Sequence, residues 1–316
     1  MNTEIALQGN NQAMTAVSPQ RMEELLKMFI AAQDVKQSSK GLYERTLRLY
    51  FSWVRSKGYL LSEMALPHLL QYKEELLGSG RSALTVSSYI TSVRRFYEWT
   101  EANKYYANIG KGVKSPKRRQ QFKKSPLTPL QAQALLSHCK ENALREHAIV
   151  SLLLRTGLRT IEVVRADVED ITLKGDQRVL LVKGKGRDEK DSFVLLTENA
   201  FQPIAQYLAH RGNAKAGEPL FTSESNNNVG GRLTTRTISQ MAKDGLRAIG
   251  LNERAFTAHS LRHTAGVSIL RAGGSLEDAQ LMLRHSSPAT TQIYTATLDE
   301  ERRLKHSGEA LIDSLY

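Results

Sequence analysis

Residues 179–195 read VLLVKGKGRDEKDSFVL. Two short apolar runs, Val179 to Val182 and Phe193 to Leu195, flank a polar stretch with two glycines, a pattern that predicts a β-hairpin. Most of the remaining chain repeats its apolar residues at three- and four-residue spacing, which is helical. The expected fold class is therefore mainly α with a small β-sheet, a helical N-terminal bundle preceding a mixed α+β region.

On the N-terminal side of the hairpin, Thr128-Pro129 reads as a helix start, threonine as cap and proline in the first turn. Helices follow near 129–139 and 142–156. On the C-terminal side, helices are expected near 199–211, 234–250, 259–272 and 276–284. Gly273-Gly274 closes the third of these, and Ser275 with Asp278 forms a capping box for the fourth. Ser287-Pro288 opens a further short helix. The stretch from Leu298 to Tyr316 reads as a helical tail, with Leu304, Leu311, Ile312 and Leu315 as apolar contacts. Residues 1–17 form a polar N-terminal tail. Between residues 18 and 110 four amphipathic stripes predict a small bundle. They are Met22 to Ile30, Leu42 to Val54, Leu69 to Leu76, and Tyr89 to Tyr97, whose aromatics are expected in the core.

With 316 residues and 41% hydrophobic side chains, the chain is long enough for two domains with real cores. Lys and Arg number 44 against 32 Asp and Glu, a formal net charge of +12 that favours a polyanionic partner. A membrane surface would suit the charge as well, but no apolar run approaches the roughly 18 residues of a spanning helix. Residues 1–126 hold 20 basic and 10 acidic side chains, so most of the excess lies there. Within 111–124, KGVKSPKRRQQFKK, seven basic residues stand with no acidic one: Lys111, Lys114, Lys117, Arg118, Arg119, Lys123 and Lys124. Pro116 and Pro126 keep this run out of a helix. It reads as a basic linker over 111–126 that tracks phosphates, preferred over a merely solvated connector. The single cysteine, Cys139, excludes a disulfide scaffold and any cysteine-rich metal site. The polar N-terminus shows no export signal, so a cytoplasmic protein without a membrane partner is expected.

Several chemistries are poorly supported. There is no phosphate-binding Gly-x-x-x-x-Gly-Lys-Ser/Thr loop and no Gly-x-Gly-x-x-Gly fingerprint. His259-Ser-Leu-Arg-His263 lacks the glutamate of a zinc-protease helix, and acidic residues do not cluster as two metals would require. No metal and no cofactor are expected. What remains is an ordered set of cations, imidazoles and one tyrosine. Thr156-Gly-Leu-Arg159 is followed by Glu162, which could orient the arginine or pair with a backbone donor. Lys185 sits between Gly184 and Gly186. His259 and Arg262 share a helix face. His285 and Tyr294 follow.

Taken together these residues resemble the tyrosine recombinases of the phage integrase family. Arg159, Lys185, His259, Arg262, His285 and Tyr294 fall on that family's six catalytic positions in order, and the words TGLRxxE, GKG, HSLRHT and TTQIYT are similar to the family's. The resemblance covers about 127–300 by motif and reaches the N-terminus by architecture. It implies a core-binding domain over 18–110, a catalytic domain over 127–316, and from about 298 a tail exchanged between protomers.

The implied reaction is site-specific DNA recombination through a 3′-phosphotyrosine, independent of metal and ATP, for integration and excision, inversion or resolution. In it Tyr294 is the nucleophile, Arg159 and Arg262 hold the phosphate, and His285 donates to it. Lys185 protonates the leaving oxygen, His259 assists the tyrosine, and Glu162 supports Arg159. The implied partners are double-stranded DNA and three further copies of the chain, a homotetramer on two sites. A free monomer, an accessory DNA-bending protein and a partner recombinase are left open. Two alternatives are a DNA-binding regulator without the reaction and a type IB topoisomerase-like enzyme. One departure stands out: the family commonly has glycine before its second histidine, and here that residue is Arg284, which alters the local turn or adds a phosphate contact.

Overall fold

The structure is a computed structural model that describes residues 19–117, 125–184, 189–305, 308–313 and 315. The expected tail over 1–17, Lys185, and Arg118, Arg119, Lys123 and Lys124 of the basic stretch lie outside the described residues. The chain divides into two compact units, Met1–Gln120 and Gln121–Tyr316.

The first unit holds four α-helices among its described residues: α1 Pro19–Ala32, α2 Gln37–Ser56, α3 Leu66–Gly78 and α4 Ala83–Ala102. Their apolar stripes meet in one core. Leu25, Phe29, Leu47, Tyr50, Val54, Leu69, Ile90, Val93, Phe96 and Tyr97 are all fully buried. The aromatics are core residues, as the periodicity predicts. Phe29 meets Phe96 edge-on at 5.7 Å, and the Tyr50 and Tyr97 hydroxyls pair at 2.9 Å. Ser82 caps α4 through the Thr85 N–H at 3.2 Å. Val113, inside the stretch read as linker, is buried in this same core, while Lys111, Lys114 and Lys117 around it are exposed.

The second unit continues with α5 Pro129–Asn142, α6 Leu144–Thr156 and α7 Thr160–Arg165. Three strands follow: β1 Ile171–Lys174, β2 Gln177–Val182 and β3 Ser192–Leu195. The C-terminal helices are α8 Glu198–Arg211, α9 Thr235–Ala248, α10 Ala258–Arg271, α11 Leu276–Leu283, α12 Pro288–Lys305 and α13 Gly308–Asp313. Thr128 caps α5 as expected: its hydroxyl accepts from the Gln131 N–H at 3.2 Å and the Gln131 side chain accepts from the Thr128 N–H at 2.9 Å. Ala148, Ile149, Val150, Leu152 and Leu153 of α6 are buried all round, which makes this helix the centre of the core.

The hairpin forms by antiparallel pairing of β2 with β3, with Val182 opposite Ser192. It has a third strand that the sequence reading did not include. β1 pairs antiparallel with β2 on its other edge, Ile171 opposite Leu180. Leu173 of β1 is 67% exposed, so this edge strand carries little of the apolar alternation that marks a strand. The helix expected to be short after Pro288 is instead the 18-residue α12, which runs through the start of the predicted tail. Leu298 packs against the cluster of Val267, Leu283 and Tyr294, but Leu304, Leu311, Ile312 and Leu315 are exposed rather than in apolar contact. Among the described residues no helix is long and apolar enough to cross a membrane.

Candidate active site

Three helix ends converge beneath α10. α6 stops at Gly157, whose φ of 59° needs a residue tolerant of left-handed backbone. A Cβ there would come within 2.3 Å of Leu283 Cδ2, so the glycine also lets α6 approach α11. Arg159 follows in extended conformation and precedes α7. Its N–H donates to Glu162 Oε2 at 2.8 Å and its Nη1 donates to Glu162 Oε1 at 2.9 Å. Glu162 therefore does both things open to it, orienting the guanidinium and accepting from the backbone.

Arg262 lies on α10 and is 3% exposed. Its Nη1 donates to the Gly157 carbonyl and its Nη2 to the Leu283 carbonyl at 2.6 Å, tying α10 to the ends of α6 and α11. Burial, joined by the neighbouring charge of Arg159, pulls its guanidinium down to about 10. Arg284 ends α11 with φ 54° and ψ 48°, a left-handed residue that is not glycine. Its Nη2 donates to Glu162 Oε2 at 2.8 Å and its Nη1 to the Met282 carbonyl at 2.8 Å. One carboxylate is thus shared by two arginines. Burial pushes the Glu162 carboxyl up, but Arg284 and Arg159 outweigh it and hold the group below the ordinary carboxylate value.

His285 Nδ1 lies 3.0 Å from the Thr291 hydroxyl. Burial first, then the charges of Arg262, Arg159, Arg284 and His259, bring its imidazole down to about 4, so the ring is neutral at physiological pH. Tyr294, on α12, is 5% exposed. Its ring stacks on His285 at 6.1 Å and lies 5.1 Å from that of His263. Gly266 makes room for it, since a Cβ there would sit 2.7 Å from Tyr294 Cζ. Burial raises the phenol above its ordinary value, opposed by Arg262 and Arg159. His259 is exposed in the first turn of α10, close enough for its charge to act on His285.

The structure thus gathers Arg159, Glu162, His259, Arg262, His285 and Tyr294 around one end of α10. Lys185 is outside the described residues, but Gly184 beside it lines a cavity of about 300 Å³ with Arg159, Glu162 and Arg284. Lys111, Lys114 and Lys117 belong to the first unit. Thr291 and His263 were not singled out in the sequence. Thr291 sits one helical turn before Tyr294, and His263 one turn after His259, and that spacing was the available signal. Among the described residues no cluster of His, Cys, Asp or Glu could hold a metal ion. The chemistry on offer is anion binding by guanidinium groups beside a phenol and imidazoles, of which His285 is neutral.

Residues 126–301 match the phage integrase family, and the chain belongs to that family. It is a tyrosine site-specific recombinase. It is 29% identical over 298 residues to the tyrosine recombinase XerD of Rhizobium meliloti (strain 1021), covering 91% of this chain and 94% of that protein. To the tyrosine recombinase XerC of Chlamydia pneumoniae it is 28% identical over 246 residues, 76% of each chain. Among solved structures, the XerH site-specific recombinase bound to a palindromic difH substrate superposes with a TM-score of 0.72. That match has 20% identity and covers 92% of this chain and 85% of XerH. The lambda integrase dimer bound to a core site gives 0.67 at 15% identity, covering 86% of this chain and 76% of that one. These two likenesses establish a shared fold.

Proposed function

We propose that this recombinase cuts and rejoins double-stranded DNA through a 3′-phosphotyrosine on Tyr294. The observation that carries the reading is the convergence of Arg159, Arg262, His285 and Tyr294, from separate segments, on one buried, cationic site. The Tyr294 oxygen attacks the scissile phosphorus and the bond to the 5′ oxygen breaks. The phenol proton passes to His259, and Lys185 supplies the proton that the departing oxygen takes up. Burial keeps the phenol protonated until then, so an acceptor is required. Arg159 and Arg262 neutralise the non-bridging oxygens, and neutral His285 donates from Nε2 while Thr291 holds Nδ1. The ester conserves the bond energy, and attack by a second 5′ hydroxyl reverses the step, so neither metal nor nucleotide enters.

In this reading residues 18–110 bind the core site, the basic stretch 111–126 follows phosphates, and four copies act on two sites in the cytoplasm. The exposed Leu304, Leu311 and Ile312 are consistent with a tail that docks on a neighbouring copy.

A covalent-trapping assay tests the proposal. The protein is incubated without metal or ATP on nicked duplexes drawn from DNA beside its own coding region. A denaturing gel should show protein attached to a 3′ end, and Tyr294→Phe should abolish the band. Specific binding with no covalent band would favour a regulator, and a band persisting in Tyr294→Phe would overturn the mechanism.

A further inference from the structure

Arg284 has no counterpart among the six motif residues, yet it reaches the middle of the site. We infer that Arg284 is a positioning residue: by holding one oxygen of Glu162 it leaves the Arg159 guanidinium bound to that carboxylate through a single nitrogen and adds a third guanidinium to the phosphate pocket. This rests on the proposed DNA-cleaving reading and deepens it.

Three observations carry it. The first is backbone strain. Arg284 adopts φ 54°, a conformation that disfavours any side chain, at a turn glycine would occupy freely. A side chain kept in such a conformation is held by its surroundings. The second is the partition of the carboxylate. Glu162 Oε1 takes Arg159 Nη1 at 2.9 Å, while Oε2 takes Arg284 Nη2 at 2.8 Å together with the Arg159 N–H at 2.8 Å. A carboxylate facing one arginine alone would accept its two-nitrogen fork and occupy it. Here the second oxygen is already filled, so the remaining Arg159 donors stay available to a phosphate. The third is placement. Arg284 lines the 300 Å³ cavity with Arg159, Gly184, Asp191, Ser192 and Ser286. Its Nε is buried and has no acceptor among the described residues.

Three guanidinium groups then stand against the Glu162 carboxylate, with Asp191 as a second carboxylate on the cavity wall, a net positive field suited to the charge that builds up on phosphate oxygens as the tyrosine attacks. The same field acts on His285. The groups facing that ring are His259 and Arg262 of α10, Arg159 ahead of α7, Arg284 at its own turn, and Tyr294 and Thr291 of α12. Arg155, Lys174 and Asp191 line the adjoining cavity with it. Burial does most to keep His285 neutral, and Arg284 adds to it after Arg262 and Arg159.

The test uses the full-length protein, labelled at histidine, with Arg284→Gly, Arg284→Gln and Arg284→Lys. The imidazole of His285 is titrated by NMR without DNA, and covalent-complex formation on a nicked duplex is timed across pH. Glycine suits the left-handed turn, and glutamine removes the charge while keeping bulk. Both should slow cleavage about tenfold or more, the cost of a loosened phosphate clamp. Both should also raise the His285 titration from about 4 toward its ordinary value and move the acidic limb of the rate profile upward with it. Lysine, which keeps the charge without the fork, should leave His285 low and restore the rate only in part.

A merely structural residue would alter thermal unfolding without moving the His285 titration. Wild-type rates and an unshifted His285 in the glycine and glutamine variants would overturn the inference. Should the wild type itself form no covalent complex, the function reading fails, while the His285 titration still decides whether Arg284 acts on the site.

Discussion

Two clusters of three charges, one in each unit, are near mirror images. On the first unit Arg48 bridges two glutamates, meeting Glu23 at 2.6 and 2.8 Å and Glu44 at 3.0 Å. In the second unit Glu162 bridges two arginines, Arg159 at 2.9 Å and Arg284 at 2.8 Å. The bond lengths are alike, but the surroundings are not. The Arg48 side chain is 49% exposed, whereas that of Glu162 is 1% exposed. Water screens the first cluster, whereas in the second the carboxylate is buried between arginines that are 32% and 14% exposed, so removing one charge costs little on the bundle and more in the site. Burial therefore separates the two clusters: one decorates a surface, and the other ties Arg159 and Arg284 together across the candidate site.

The largest effect that would break this contrast comes from Glu162→Gln. Removing the carboxylate's charge leaves two guanidinium groups facing each other with no counter-ion. Breaking a buried pair by removing one partner costs about 3–5 kcal/mol, and Arg159's partial exposure favours the lower end. Urea unfolding should show this loss, and covalent trapping should fall with it. A loss below about 1 kcal/mol would place Glu162 with the surface cluster.

The next effect is a pH slope. Glu162 titrates below its ordinary value of 4.5 when folded. Its contribution to stability is present above 4.5 and is lost as pH falls through the lower folded value. His285 works in the same direction over a higher window. The unfolded chain binds its proton near 6.5 and the folded chain only near 4, so stability falls as pH drops from 6.5 toward 4. His285→Gln should flatten that upper window and Glu162→Gln the lower one, read as urea midpoints at a series of pH values. Identical slopes in wild type and both variants would sink the account.

How much of this was legible in the sequence follows from the same physics. The bundle was readable because Phe29, Tyr50, Phe96 and Tyr97 recur at helical spacing, and a core needs nothing more specific than that. The hairpin was readable from its two apolar runs, but β1 was not, because Leu173 points to solvent and the edge strand shows no alternation. The short helix expected from Pro288 and the start of the separate helical tail expected from Leu298 are instead one helix, α12: the proline marks where it begins, and no glycine or proline between Tyr294 and Lys305 interrupts it. At the site, residue types were visible but partners were not. Glu162 was tied to Arg159 by spacing alone, three residues on one turn. Its bond to Arg284 spans 122 positions and depends on a left-handed turn that the sequence marks with the wrong residue. Arginine in place of glycine was the only sign, and it pointed equally to a changed turn or a phosphate contact.

Between the two clusters in expected size lies Tyr50→Phe. The Tyr50 and Tyr97 hydroxyls are buried and answer each other at 2.9 Å. Deleting one leaves the other without that partner, at a cost of about 1–2 kcal/mol in urea unfolding. The trapping rate on a DNA the variant still binds should stay at the wild-type value, because the core of the bundle supplies no group to the reaction.

The smallest effect belongs to Arg48→Ala. Glu23 is held below its ordinary value, first through its hydrogen bonds with Arg48. With both partners substantially exposed, that shift reports local charge rather than stability. The variant should lose no more than about 1 kcal/mol in dilute buffer, and the difference should shrink as salt is added. Glu162→Gln should keep more of its loss in the same salt series, because the Glu162 carboxylate is buried and its ion pairs are less screened. A cost for Arg48→Ala that resists salt would mean that exposure is not what separates the two clusters.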